Sequence, residues 1–213
     1  MSIDPLPRVS AVDALVTVLR ERILDGDLPA GERLVERELT ERYDVARHTL
    51  RAALRALQAD GLVRIEPNRG ARVAALDGEE LRELFALRLA LEREAAFLAL
   101  ERHDGRLPAS VHDAAAELAR LAARRRTGWA DVAAAHNAVH GAMVAAAGAP
   151  RIARAYEALD GELALFTMQL RPVWTRDRLG PDHIALVAAI EQDGPDVLRD
   201  HLDEALTALT TGA

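Results

Sequence analysis

The 213-residue chain has no cysteine and no lysine, and only 3% of it is aromatic. The missing cysteines exclude a disulfide-stapled scaffold, thiolate metal sites and a cysteine nucleophile. A metal would have to be held by His, Asp or Glu. The missing lysines exclude Schiff-base chemistry and a P-loop; all 27 basic residues are arginine. No run reaches the ~18 apolar residues of a membrane span. The stretch from Met1 to Arg8 is polar and carries prolines, without a secretory hydrophobic region. A cytoplasmic protein is therefore expected, with no membrane partner. Half of the residues are hydrophobic (50%), enough for one large domain or two modest ones.

Positive charge is also scarce: the net formal charge is −7, which taken whole speaks against nucleic acid. The distribution reverses that reading. Residues 1–75 hold 12 Arg and 12 acidic residues, whereas residues 76–213 hold 15 Arg and 22 acidic residues. Such asymmetry predicts two domains with different partners, 1–76 and 77–213, divided at Leu76-Asp77-Gly78. Alanine, with 43 residues, clusters after position 86; it is the strongest helix former and lets helices approach closely.

Val12, Leu15, Val16, Leu19 and Ile23 recur at helical spacing and predict a helix over 10–25. Further helices are expected at 35–43 and 46–59, the second with Leu50, Leu54 and Leu57 on one face. Leu62–Ile65 and Ala71–Ala74 read as strands joined at Pro67-Asn68-Arg69-Gly70. Three helices and a β-hairpin make a winged helix-turn-helix. The remainder reads as helix: 78–102, 109–126, 128–147, 150–171, 181–192 and 195–211, broken at Gly and Pro signals. The fold class is thus mainly α, a winged helix-turn-helix joined to an all-α antiparallel bundle. Leu84, Leu87, Leu91 and Phe97 are expected in its core, and Arg124-Arg125-Arg126 at the end of a helix.

Between Val45 and Gln58 the charged residues are Arg47, Arg51 and Arg55, with no acid. This is either a solvated arginine face or a recognition helix, whose first turns meet base edges through residues such as Arg47, His48 and Arg51. Thr49 can donate to a phosphate, Arg37 can hold the backbone, and Arg69 at the hairpin tip can reach a minor groove. The stretches Ile23–Leu34, Glu36–Leu39, Tyr43–Leu54, Asp60–Val63 and Pro67–Val73 resemble the GntR family of transcription regulators. The resemblance implies DNA contacts by Arg37, Arg47, Thr49, Arg51 and Gly70. Ala46, His48-Thr49 and Ala52 depart from the family's usual residues, which bears on fine contacts and operator preference.

Of the seven histidines, six fall in the helical half. His48, His103 and His112 read as incidental, and four form a candidate group: His136 and His140 at i, i+4, His183, and His201. They can converge on a divalent cation such as Zn²⁺ or Ni²⁺, or stand as exposed or hydrogen-bonded side chains. The same half resembles the FadR-type effector domain, FCD, through Arg88 and Glu92, His136–His140, Asp182-His183 and His201-Leu202. That resemblance implies metal ligation by His140, His183 and His201, with His136 at a position usually held by aspartate. Arg88 is expected either to bind an effector carboxylate or to form a surface pair with Glu92. Asn137, about 100° around the helix from its neighbour, is a weaker effector contact. Together these features predict a homodimeric regulator, a repressor, that reads an inverted-repeat DNA operator and responds to a small carboxylate. The alternatives are a metalloenzyme, or a structural-metal protein, with a fused DNA-binding domain.

Overall fold

The computed structural model describes residues 10–169 and 174–211. The chain divides into two compact units, Met1–Ala75 and Leu76–Ala213.

In the first unit, α1 (Ala11–Leu24) starts at a capping box in which Ser10 and Asp13 satisfy each other's backbone N–H groups. Leu15, Leu19 and Ile23, at i, i+4 and i+8, form its buried stripe. β1 (Arg33–Leu34), α2 (Glu36–Tyr43) and α3 (Arg47–Ala59) follow. Asp44 closes α2 in the left-handed region (φ 48), which a short polar side chain tolerates, and turns the chain into α3. Leu50, Leu54 and Leu57 of α3 are buried. β2 (Val63–Glu66) and β3 (Gly70–Val73) form the hairpin, and β1 pairs with β3 to give an antiparallel sheet of order β1-β3-β2. The third strand has no counterpart in the sequence reading, because two residues are too few to show a period. Leu34, Val63, Ala71 and Val73 face the core, and the alternate positions face solvent.

The second unit holds seven helices among the described residues: α4 (Gly78–Arg102), α5 (Ala109–Ala123), α6 (Trp129–Ala146), α7 (Pro150–Glu157), α8 (Asp160–Gln169), α9 (Arg176–Asp193) and α10 (Val197–Thr211). Asp77 and Glu80 cap α4 reciprocally. The single helix expected over 150–171 is two, because the chain tightens where Leu159 N–H donates to the Tyr156 carbonyl, just before Asp160-Gly161 opens α8. Its last residues, 170 and 171, lie outside the described residues.

Three other expectations are corrected. α9 begins at Arg176 and runs through Gly180-Pro181, which the sequence reading took as a break. A Cβ on Gly180 would lie 2.5 Å from Ala119 Cα, so this glycine lets α9 pack directly against α5. α5 ends at Ala123 and Arg124 is extended, so Arg124-Arg125-Arg126 lies in the following loop. Leu84 is buried, but Leu87 and Phe97 are 47% exposed and Leu91 half-buried. The reason is that Arg88 and Glu92 occupy the inward face of α4 with Leu81, Leu84, Phe85, Ala95, Ala96 and Ala99, which turns Leu87 and Phe97 outward.

Candidate metal centre and nucleic-acid interface

α6 carries His136 and His140 one turn apart, so both point to one side. α9 brings His183 against them from across the bundle. All three side chains are buried, and one ring nitrogen of each lies within 4.8 Å of the others. His201 of α10 is half-buried at the edge of this group, its ring 4.9 Å from that of His183 and 5.5 Å from that of His140. The structure therefore brings the four predicted histidines together, three as a tight group with the fourth beside it.

Hydrogen bonds fix the protonation pattern. His183 Nδ1 lies 2.8 Å from the Leu179 carbonyl, His140 Nδ1 3.0 Å from Glu92 Oε2, and His136 Nδ1 3.0 Å from Asn137 Oδ1. Each of these oxygens can only accept, so each Nδ1 donates. In a neutral imidazole the other nitrogen, Nε2, then holds a bare lone pair. The rings are neutral: burial, then the like charges of His183, His140 and Arg88, push His136 well below its ordinary value. Burial, with Arg88 and the neighbouring histidines, does the same to His140. Burial holds His183 at about 4 and His201 at about 3. His140 Nε2 and His183 Nε2 thus face each other at 3.3 Å with no proton to share. Opposed lone pairs at that distance repel unless a cation lies between or beside them. A neutral, nitrogen-only donor set with every outer nitrogen anchored fits a borderline divalent cation.

Arg88 and Glu92 are also buried, and Arg88 Nε donates to Glu92 Oε1 at 2.7 Å. This corrects the surface-pair reading of the same i, i+4 contact. Tyr156 O–H donates to the same carboxylate oxygen at 2.7 Å, so Glu92 gathers Arg88, Tyr156 and His140. Burial lowers the Arg88 value, but Glu92 and Tyr156 more than restore it and the guanidinium stays charged. Burial pushes the Tyr156 hydroxyl well above its usual range. Arg88 Nη2 is buried without a hydrogen-bond partner among the described residues. Asn137 is held by its Oδ1, which accepts from His136 Nδ1 and from Thr167 Oγ1, the latter at 2.9 Å. Tyr156, Thr167 and the Leu179 carbonyl were not legible in the sequence. Tyr156 and Thr167 meet partners distant in the chain, and Leu179 acts through its backbone carbonyl, which carries no side-chain signal. A cavity of about 120 Å³ reaches His183 and His201 past Trp174, Arg178, Asp182 and Glu204.

In the first unit, Arg47 and His48 open α3 and are exposed. Ala46, the residue before α3, offers no side-chain cap. Arg51 is exposed and pairs with Glu36 of α2 at 2.9 Å; this partner was also not foreseen. Arg37 on α2 is exposed beside Glu41. Thr49 lies on the buried side of α3 at 9% exposure, away from the face that Arg47, His48 and Arg51 present. Arg69 and Gly70 lie at the hairpin tip, where Asn68 (φ 64) and Gly70 (φ 85) make the turn and Arg69 is exposed.

Comparison with known proteins matches residues 11–73 to the model of bacterial regulatory proteins of the gntR family and residues 83–208 to the FCD domain. The HTH-type transcriptional repressor GlaR of Escherichia coli (strain K12) is 31% identical over 163 residues, 74% of this chain and 71% of GlaR. The HTH-type transcriptional regulator BphR of Paraburkholderia xenovorans is 41% identical over 86 residues, 40% of this chain; the match spans 35% of BphR, about a third of its length. The crystal structure of a GntR transcriptional regulator from Rhodococcus sp. RHA1 aligns with a TM-score of 0.73 at 26% identity, over 95% of this chain and 98% of that one. These matches are to regulators rather than enzymes. Among the described residues no helix is long and apolar enough to cross a membrane.

Proposed function

The chain belongs to the GntR family of bacterial regulatory proteins and carries an FCD domain; from that premise we propose that it is a homodimeric transcription repressor, released from or fixed on its operator by a small carboxylate held in the helical unit. Arg47, His48 and Arg51 on α3 read base edges in the major groove, Arg37 holds the backbone, and Arg69 and Gly70 at the wing tip contact the flanking groove. Thr49, being buried, contributes through packing and its backbone more than through its hydroxyl. A two-fold dimer presents two such helices to an inverted repeat.

The observation that carries the sensing half is the convergence of His136, His140 and His183, each with its outer nitrogen committed and its inner one bare. These three residues, with His201 beside them, hold a divalent cation, Zn²⁺ or Ni²⁺ by donor chemistry. When bound, the ion supplies a Lewis-acidic position for an anion. Three or four neutral imidazoles offset none of its charge, and Arg88 and Glu92 cancel each other, so the interior favours an anionic ligand. Arg88 Nη2, which has no hydrogen-bond partner among the described residues, is a donor for its carboxylate. For the ligand to regulate, it must bind one placement of the DNA-reading helices more tightly than the other.

The test is elemental analysis of untagged protein, followed by titration with a panel of mono- and dicarboxylates while operator occupancy is followed by anisotropy. Bound metal near one per chain, and a carboxylate that changes operator affinity in the parent but not in His140→Ala, is the expected result. Metal that raises the melting temperature while no carboxylate changes operator affinity would reduce the site to a structural one.

A further inference from the structure

We propose that the solvent face of the wing sheet is a phosphate-binding track, in which Arg33 and Arg72, extended by Arg64, hold DNA backbone phosphates beside the groove that α3 reads. The proposal rests on the DNA-binding reading above.

The strand register sets the arrangement. Arg33 of β1 stands opposite Arg72 of β3, and Arg64 of β2 stands opposite the same Arg72. Directly opposed residues share a face, so three guanidinium groups stand abreast on one rung, about 10 Å across from the usual strand spacing. All three are exposed. The packing of the sheet does not call for them, since Leu34, Val63, Ala71 and Val73 supply the buried face. Like charges directly opposite one another destabilise a sheet. The opposed Arg33 and Arg72 therefore repel across the β1–β3 pair, and an anionic partner would reverse the sign of that contribution.

The surroundings point to phosphate. Arg33, Arg72, Arg69, Asn68 and Glu66 line one cleft on this face. Three guanidiniums and an amide meet a single carboxylate, and that carboxylate lies 3.5 Å from Arg69 at the tip. Arg72 Nη1 donates to the Gly31 carbonyl at 3.1 Å, which steadies the side chain without neutralising it. Planar guanidinium groups match phosphate oxygens in pairs. The cleft runs from the wing tip to the rung, so a strand whose backbone meets Arg69 continues onto Arg72 and Arg33. Such contacts fix position and affinity and read no bases.

The track is tested by anisotropy titrations of the full chain on its selected operator and on a scrambled duplex of equal length, at several sodium chloride concentrations. The Arg33→Gln/Arg72→Gln variant is expected to weaken both duplexes by the same factor. The slope of log affinity against log salt should become shallower by about one to two, one per lost phosphate contact. The ratio of operator to scrambled affinity should stay at the parent value. Arg33→Lys/Arg72→Lys, which keeps the charge, should keep most of the slope, separating lost charge from a damaged fold. Parent-like slope and affinities in the Gln variant, beside a lost operator preference in Arg47→Ala/Arg51→Ala, would overturn the track and leave the recognition helix standing. A parent that binds neither duplex would sink both. Inorganic phosphate is the control for the other source of the same chemistry. A rise in melting temperature of the parent with phosphate over chloride at matched ionic strength, absent in the Gln variant and with the DNA slope unchanged, would assign the rung to a free anion and overturn its role on DNA.

Discussion

Each unit of this protein holds an arginine–glutamate pair of nearly the same length: Arg51 Nε to Glu36 at 2.9 Å in the first, Arg88 Nε to Glu92 at 2.7 Å in the second. The first pair is open to water, with side chains 56% and 34% exposed; the second is sealed, at 2% and 0%. Distance is therefore not what separates them. Water screens the exposed pair, so it adds little to stability and Arg51 can exchange Glu36 for a phosphate or a guanine edge. The buried pair cannot trade partners without stranding a charge, and it is tied to Tyr156 and His140 as well. The first unit keeps its arginines available for an outside partner, whereas the second spends one on holding its interior in register.

The largest effect should come from opening the sealed pair. Glu92→Gln leaves the Arg88 charge buried without its counter-ion, and the helical unit should lose about 3–5 kcal/mol, read as a fall in its melting transition. The same variant should lose affinity for added divalent metal, because His140 no longer has the carboxylate that orients it. A melting transition within a degree of the parent would mean that the two pairs are energetically alike after all.

Acid should find the same unit next. Folded His183 titrates at about 4 against an ordinary 6.5, and His201 at about 3. Below 6.5 the unfolded chain takes up protons that the folded chain refuses. Stability is thus complete above pH 6.5 and falls as the pH drops, the loss from His183 ending near 4 and that from His201 near 3. For His183 alone the difference is about 3 kcal/mol. Melting of chelator-treated protein between pH 7.5 and 4.5 measures it, and a flat profile would deny that the imidazoles are sealed. Metal should be released over the same range, because protonated imidazole cannot ligate.

Arg47→Ala/Arg51→Ala should leave both melting transitions in place while operator affinity falls about tenfold or more at constant salt. Any large loss of stability would show that the exposed arginines also serve the fold. The smallest change is expected from Glu36→Gln: no shift in melting temperature beyond about a degree, and unchanged or slightly tighter binding to all DNA as a competitor for Arg51 is neutralised. Weaker binding would mean that Glu36 positions Arg51 rather than competing for it.

Much of the fold was legible because its signals are local. The Leu15–Leu19–Ile23 stripe, the Pro67–Gly70 turn and the Leu76-Asp77-Gly78 boundary each lie within a few residues of what they organise. The readings that failed turn on contacts far apart in the chain. Gly180-Pro181 looks like a break until Ala119 of α5 is seen against it, and Leu87 and Phe97 look like core until the inward face of α4 is found to hold Arg88 and Glu92. The four histidines were legible as residue types at helical spacing. Their tautomers were not, because those depend on Glu92, Asn137 and the Leu179 carbonyl.

By itself, the sequence determined that two units of different charge would form, that one carries an arginine face at the start of a helix, and that imidazole was the nitrogen donor at hand for a metal in a chain without cysteine. These follow from composition and from periods of two and 3.6 residues, which are properties of the chain alone. The tertiary structure decided which arginines remain exposed and which is sealed, that Arg33, Arg64 and Arg72 share one rung, and that the Nε2 lone pairs of His140 and His183 meet with a His136 ring nitrogen beside them. Burial and partnership are set by segments brought together from across the sequence, and it is burial that turns the same arginine–glutamate contact from an exchangeable surface pair into a fixed internal one.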